Sequence, residues 1–149
     1  MVQVPDTTGV ESNREFILFP EGWYSAQLLK AEEKTTASGS PYLNVEFEHS
    51  NTRRRFWGTL SYKETALWKF QQFKLAIEMG DAETDLDDHY GSSIEIYVIQ
   101  ETYEGKTRNK VKEYRPYGGK DTEADIAVVN MIDGIEDAPK ENNDDNIPF

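Results

Sequence analysis

The chain of 149 residues has no cysteine. Disulfides, a thiolate nucleophile and cysteine-ligated zinc are therefore excluded. No apolar run approaches the ~20 residues that cross a bilayer. Nor does a charged start lead into an apolar signal core. These absences predict a soluble, cytoplasmic protein with no membrane partner. Basic residues are scarce, 16 Lys and Arg against 28 Asp and Glu, for a net charge of −12. That balance argues against a plain nucleic-acid binder. Glycine-rich phosphate loops and a Ser or Thr nucleophile with a matched base are not discernible. The two histidines, His49 and His89, lie far apart in sequence. Six acids between 78 and 88 (Glu78, Asp81, Glu83, Asp85, Asp87 and Asp88) lack the regular spacing and glycine of a calcium loop, and read as a solvated acidic loop. The chain is expected to be no enzyme and to need no cofactor and no metal.

What is present is an uneven distribution of charge. Residues 120–149 hold nine acids against Lys120 and Lys140, a net of −7. A segment so charged and so poor in apolar groups reads as a disordered acidic tail. Within it, residues 127–131 form the one apolar patch able to dock on the body. Residues 1–119 form the expected folded domain, enough for one modest core. This body carries 14 basic and 19 acidic residues, and six of those acids belong to the 78–88 loop. Without that loop the body is slightly basic. It has two basic clusters, Arg53-Arg54-Arg55 and residues 106–115.

The tail closes on Asp144-Asp145-Asn146-Ile147-Pro148-Phe149. An apolar ring with a free carboxylate at the tip of an acidic string suits capture by a partner. The ring enters a pocket, the acids meet basic groups, and Pro148 limits the entropy lost on docking. A terminus that happens to end in Phe is the plainer alternative. These six residues resemble the acidic tip of single-stranded-DNA-binding proteins of the bacterial and phage type. Asp144, Asp145, Ile147, Pro148 and Phe149 match, and Asn146 replaces a common third acid. Residues 22–47, with Lys34-Thr35-Thr36 and Ser38-Gly39 before a strand, are similar to short phage-encoded proteins of the same kind. The resemblance implies a protein that binds and protects single-stranded DNA during replication, recombination and repair. It also implies that the tip recruits replication, recombination and repair proteins, in the host cytoplasm if the protein is phage-encoded.

Hydrophobic period supplies the fold. Residues 16–19 form an apolar patch that is a short strand or a lid over the core. A long strand is expected over 22–36, then a turn at 37–41. Residues 42–48 alternate, with Leu43, Val45 and Phe47 on one face. A third strand spans 53–60. The period then lengthens: Ser61 and Glu64 have capping-box spacing, and Ala66, Phe70, Phe73 and Ile77 share a helical face. Strands over 92–102 and 107–117 follow, joined by a hairpin turn at 103–106. Three strands, a helix and two strands is the order of the OB fold, a five-stranded all-β barrel with one helix between strands 3 and 4.

In such a barrel, nucleic acid crosses strands two and three and is flanked by the loops joining strands one–two and four–five. Single strands bind through phosphate neutralisation and base stacking. The candidate nucleic-acid-binding residues are Lys34 and Tyr42 at the first loop, Arg53, Arg55 and Trp57 on strand three, and Lys106, Arg108, Lys110, Lys112 and Tyr114 on strand five. Lys110, Lys112 and Tyr114 are expected to share a face. Each has a plainer alternative. Trp57 is core, the arginines are a solvated hairpin end, and the lysines blunt an edge strand. A homodimer would lengthen the short groove of one barrel. Two rival functions are an acidic DNA mimic that inhibits a host DNA-binding enzyme, and a metal-dependent nuclease using the 78–88 acids.

Overall fold

The computed structural model describes residues 2–5 and 17–141, and in 134–141 the backbone alone. Five strands form one antiparallel sheet: β1 (Gly22–Thr35), β2 (Pro41–His49), β3 (Arg55–Ser61), β4 (Ser93–Tyr103) and β5 (Lys106–Pro116). Their order is β3-β2-β1-β4-β5. A helix, α1 (Leu67–Ala76), lies between β3 and β4, and a second, α2 (Glu123–Glu141), follows β5.

The length of β1 makes the sheet curl. Its first half, from Gly22 to Gln27, pairs with β4, and the part from Ala26 to Thr35 pairs with β2. A bulge between Leu28 and Lys30 lets the strand bend between its two partners. The curl brings together the two strands at the ends of the sheet. A Cβ built on Gly58 of β3 would lie 3.3 Å from the Cβ of Val111 of β5 and 2.4 Å from the Tyr114 hydroxyl. Glycine at 58 is therefore what allows β3 and β5 to approach. Inside this seam lie Phe47, Phe73 and Tyr114, with ring centroids 5.2–6.3 Å apart. Burial pushes the Tyr114 hydroxyl far above its ordinary pKa.

The apolar patch before β1 is the lid. Phe19 is fully buried against Tyr24, His49 and Phe56. Asn109 of β5 clamps its backbone: the amide donates to Asn109 Oδ1 at 2.8 Å, and Asn109 Nδ2 donates to the carbonyl at 2.9 Å. The expected capping box at Ser61 does not form. Ser61 ends β3, a single 3-10 turn over Glu64–Ala66 intervenes, and α1 begins without a side-chain cap. Phe73, Ala76 and Ile77 are buried as the helical period predicts.

The disordered tail expected from residue 120 is corrected over 123–141, which is helix. A capping box starts it, at Thr122 and Asp125. The Asp125 amide donates to Thr122 Oγ1 at 3.0 Å, and the Thr122 amide donates to Asp125 Oδ2 at 2.8 Å. Val128 and Ile132 then enter the core, so the 127–131 patch does dock on the body. The acids that suggested disorder, Asp121, Glu123 and Asp133, are on the exposed side. The same capping box closes the edge of β1 that β2 leaves unpaired. The Ser25 amide donates to Asp125 at 2.9 Å, and the Thr122 hydroxyl donates to the Trp23 carbonyl. His49 Nε2 donates to the same carboxylate at 2.8 Å, both side chains being fully buried. Burial alone would raise the Asp125 carboxyl. The bonds from His49, Ser25 and Thr122 outweigh it and hold the group down at about 2.

Two stability predictions follow from this packing. Gly58→Ala should destabilise the fold by roughly 1–3 kcal/mol in denaturant titration, since the added methyl must part β3 from Tyr114. A depressed carboxyl contributes stability above its unfolded pKa and loses it as pH falls through the folded value. Asp125 should therefore contribute about 2 kcal/mol at neutral pH that disappears between about pH 5 and pH 2. Melting temperature against pH should show this acid limb flattened in Asp125→Asn.

Candidate nucleic-acid interface

Strand pairing lays out the outward face of the curled sheet. On β3, Arg55, Trp57 and Thr59 point outward while Phe56, Gly58 and Leu60 point in. Trp57 is 49% exposed, which removes the core alternative for this ring. Its cross-strand neighbour on β2 is Glu46, and Arg55 stands opposite Glu48. Glu46 is nearly buried and is held by Arg55 at 2.7 Å and by Lys30 at 3.8 Å. Arg55 is thus fixed beside Trp57 by a carboxylate under it. A phosphate on Arg55 must compete with Glu46, so this arginine positions as much as it attracts.

The arginine run divides into three roles. Arg53 sits in the β2–β3 turn with a positive φ of 64° and a loose pairing to Glu48 at 3.5 Å. Arg54 turns inward, its guanidinium 5.3 Å from the ring centres of both Phe19 and Phe56 and bonded to the Ile17 carbonyl. It is a structural cation. Only Arg55 joins the outward row with Trp57.

On β5 the expected shared face of Lys110, Lys112 and Tyr114 is broken by a bulge. Val111 pairs with Val98 and Glu113 with Tyr97, so Lys112 is the extra residue. The alternation slips there, and Tyr114 turns inward to 2% exposure. Tyr114 is therefore withdrawn from the interface: it is a core ring whose hydroxyl meets Gly58. Lys110 stays outward, 3.7 Å from Glu101, and Lys112 is exposed. Val111 lies against Gly58, so the two strands meet there. Trp57 and Thr59 flank that contact on β3, and Lys110 and Lys112 flank it on β5. This juxtaposition is the centre of the candidate site.

The remaining candidates lie at its margins. Lys34 and Tyr42 are cross-strand neighbours at the far end of the β1–β2 hairpin, with Lys34 3.7 Å from Glu32. Tyr42 is four residues along β2 from Glu46, so this pair is ~13 Å from the Trp57 row. Lys106 and Arg108 are exposed on the β4–β5 hairpin, whose tight turn is made by Glu104 and Gly105, both with positive φ. Asp144, Asp145, Ile147, Pro148 and Phe149 lie outside the described residues.

A second outward cluster was not anticipated from the sequence. Trp23 of β1 meets Tyr97 of β4 edge-on at 5.3 Å, and the Arg115 guanidinium lies 4.1 Å above Trp23. Arg115 is also bonded to Glu95, which is almost buried and accepts from the Gly118 amide at 2.9 Å. The alternation of Trp23 and Ser25 with Tyr24 and Ala26 could have placed Trp23 outward. Its partner is set by register and could not be read. In the acidic loop, Glu83 bonds to His89 at 2.6 Å and accepts from the Gly80 amide at 3.1 Å. The His89 bond chiefly draws the Glu83 carboxyl below its usual range. Among the described residues, no three acids or histidines converge as a metal site would require.

The geometry separates binding residues from supporting ones. Arg55→Ala leaves the nearly buried Glu46 without its closest cation and should cost about 1–3 kcal/mol in thermal or urea melts. Arg53→Ala and Trp57→Ala remove exposed groups and should stay within ~0.5 kcal/mol of wild type.

No curated protein matches the chain. Residues 6–127, which include all five strands and α1, match a family described as a protein of unknown function. The chain belongs to that family, DUF669.

Proposed function

We propose that this protein is a non-enzymatic single-stranded-DNA-binding protein whose strand lies over the β3–β5 seam. The observation that carries the reading is the half-exposed Trp57, on the same face of β3 as Arg55 and next to the Gly58 contact with β5, the strand that carries Lys110 and Lys112. A ring that accepts any base, next to cations that accept phosphate, is the minimum for sequence-tolerant binding of a single strand. Lys106 and Arg108 on the hairpin and Lys34 and Tyr42 on the opposite loop would extend the charged path on either side. The strand order and the curl that draws β3 to β5 support assignment to the OB class. Such a barrel is closed through strands three and five, with α1 at its end.

In this reading the acidic C-terminal tip, Asp144 to Phe149, hands bound DNA to replication, recombination and repair proteins. What supports this part is the match of five residues to the tip of bacterial and phage single-strand binders. A tip of this size should bind weakly on its own and act through the many copies on one coated strand. Truncation to isolate the body has to spare α2, since Asp125, Val128 and Ile132 belong to the fold.

The test is a titration of labelled single-stranded oligonucleotides. Wild type should bind, with a log–log salt slope of about −0.7 per phosphate neutralised. Trp57→Ala should lose about 1–3 kcal/mol of affinity with its melting temperature unchanged. Phe149→Ala should bind oligonucleotide as wild type does while capturing no repair protein on it. No binding at low salt would refute the reading and leave the acidic DNA mimic as the better account.

A further inference from the structure

We infer that the bound strand does not end at the seam but continues onto α1, where Trp68 stacks a further base and Lys69, Lys110 and Lys112 hold the phosphates between. This extends the proposed single-strand site and rests on that reading. Trp68 is 61% exposed in the first turn of α1, one of the least covered aromatic rings among the described residues. The helix turns its other rings inward: Phe73 is in the core and Phe70 stacks on Tyr62 at 5.3 Å. Trp68 is thus an outward ring on a rigid element, with the Lys69 amine 5.9 Å from its centre.

The side of α1 that carries Lys69 lies along β5. One turn further, Gln72 Oε1 accepts the edge amide of Tyr114 at 3.3 Å, which fixes how helix and strand sit together. Lys69 consequently stands next to Lys110 and Lys112. Its ammonium form is disfavoured first by burial and then by those two lysines, with Glu113 acting in the opposite sense. Three cations gathered at one place repel, and a phosphate relieves that repulsion. Lys110 and Lys112 flank Val111, which meets Gly58 next to Trp57. The lysines therefore belong to the strand that touches α1 on one side and β3 on the other, and a single strand stacked on both exposed tryptophans would run past them.

The experiment compares full-length wild type, Trp57→Ala, Trp68→Ala and Lys69→Gln on an oligonucleotide series of increasing length. Melting temperature serves as the check of folding, and both helix residues are at the surface. Trp57→Ala should weaken binding at every length. Trp68→Ala and Lys69→Gln should match wild type on the shortest oligonucleotides and fall about five-fold or more behind on longer ones. Lys69→Gln should also reduce the salt slope by about 0.7. A Trp23→Phe, Trp57→Phe chain leaves Trp68 as the one tryptophan, and long oligonucleotide should quench its selectively excited emission. If Trp68→Ala binds every length as wild type does, the inference is overturned while the seam site stands. A change of sedimentation in Trp68→Ala with affinity intact would overturn it in favour of an interface between copies. Absence of binding by wild type would remove the function itself.

Discussion

The contact between β3 and β5 at Gly58 is the constraint on which the rest depends. A missing Cβ lets Val111 and the Tyr114 hydroxyl come against the backbone of β3. From that contact follow the burial of Tyr114 between Phe47 and Phe73, the placing of α1 along β5, and the approach of β5 to the strand that carries Trp57. The bulge at Lys112 is its counterpart. It turns Tyr114 into the core and leaves both lysines outside. A regular strand would have done one or the other.

The second support is the Thr122–Asp125 capping box. Helix caps ordinarily satisfy their own helix. This one also completes an edge of β1 and a buried histidine, so α2 is fastened to the sheet by directional bonds as well as by Val128 and Ile132. The negative charge of the chain is thereby managed in place. Asp125, Glu46 and Glu95 are buried or nearly so, each with a cationic or hydrogen-bonding partner. These three carboxylates are therefore compensated locally.

Period-two alternation makes β2 and β3 legible, but it leaves Trp57 open between core and surface, and only the 49% exposure decides it. The turn at Glu104-Gly105 is legible because local chemistry decides it. The site was legible only in pieces. How β5 comes against the strand of Trp57 is fixed by curl and by a bulge, and neither leaves a local mark. Regular alternation through Lys112 would put Tyr114 outside, and the bulge there turns it in. Acidic composition from residue 120 masks a spacing, Thr122 to Asp125, that is a helix-start signal. The pairing of Ser61 with Glu64 had that signal too, yet Ser61 was needed to end β3.

We propose that Trp57 and the lysines of β5 form one surface for a single strand. Photocrosslinking of an iodouracil-substituted oligonucleotide to the full chain, with the attached peptides mapped by mass spectrometry, tests it most directly. Crosslinks should fall on Trp57 of β3, with the neighbouring adducts in the β5 stretch from 106 to 112. Crosslinks confined to Trp23 and Tyr97 on β1 and β4, with none at Trp57, would contradict the account.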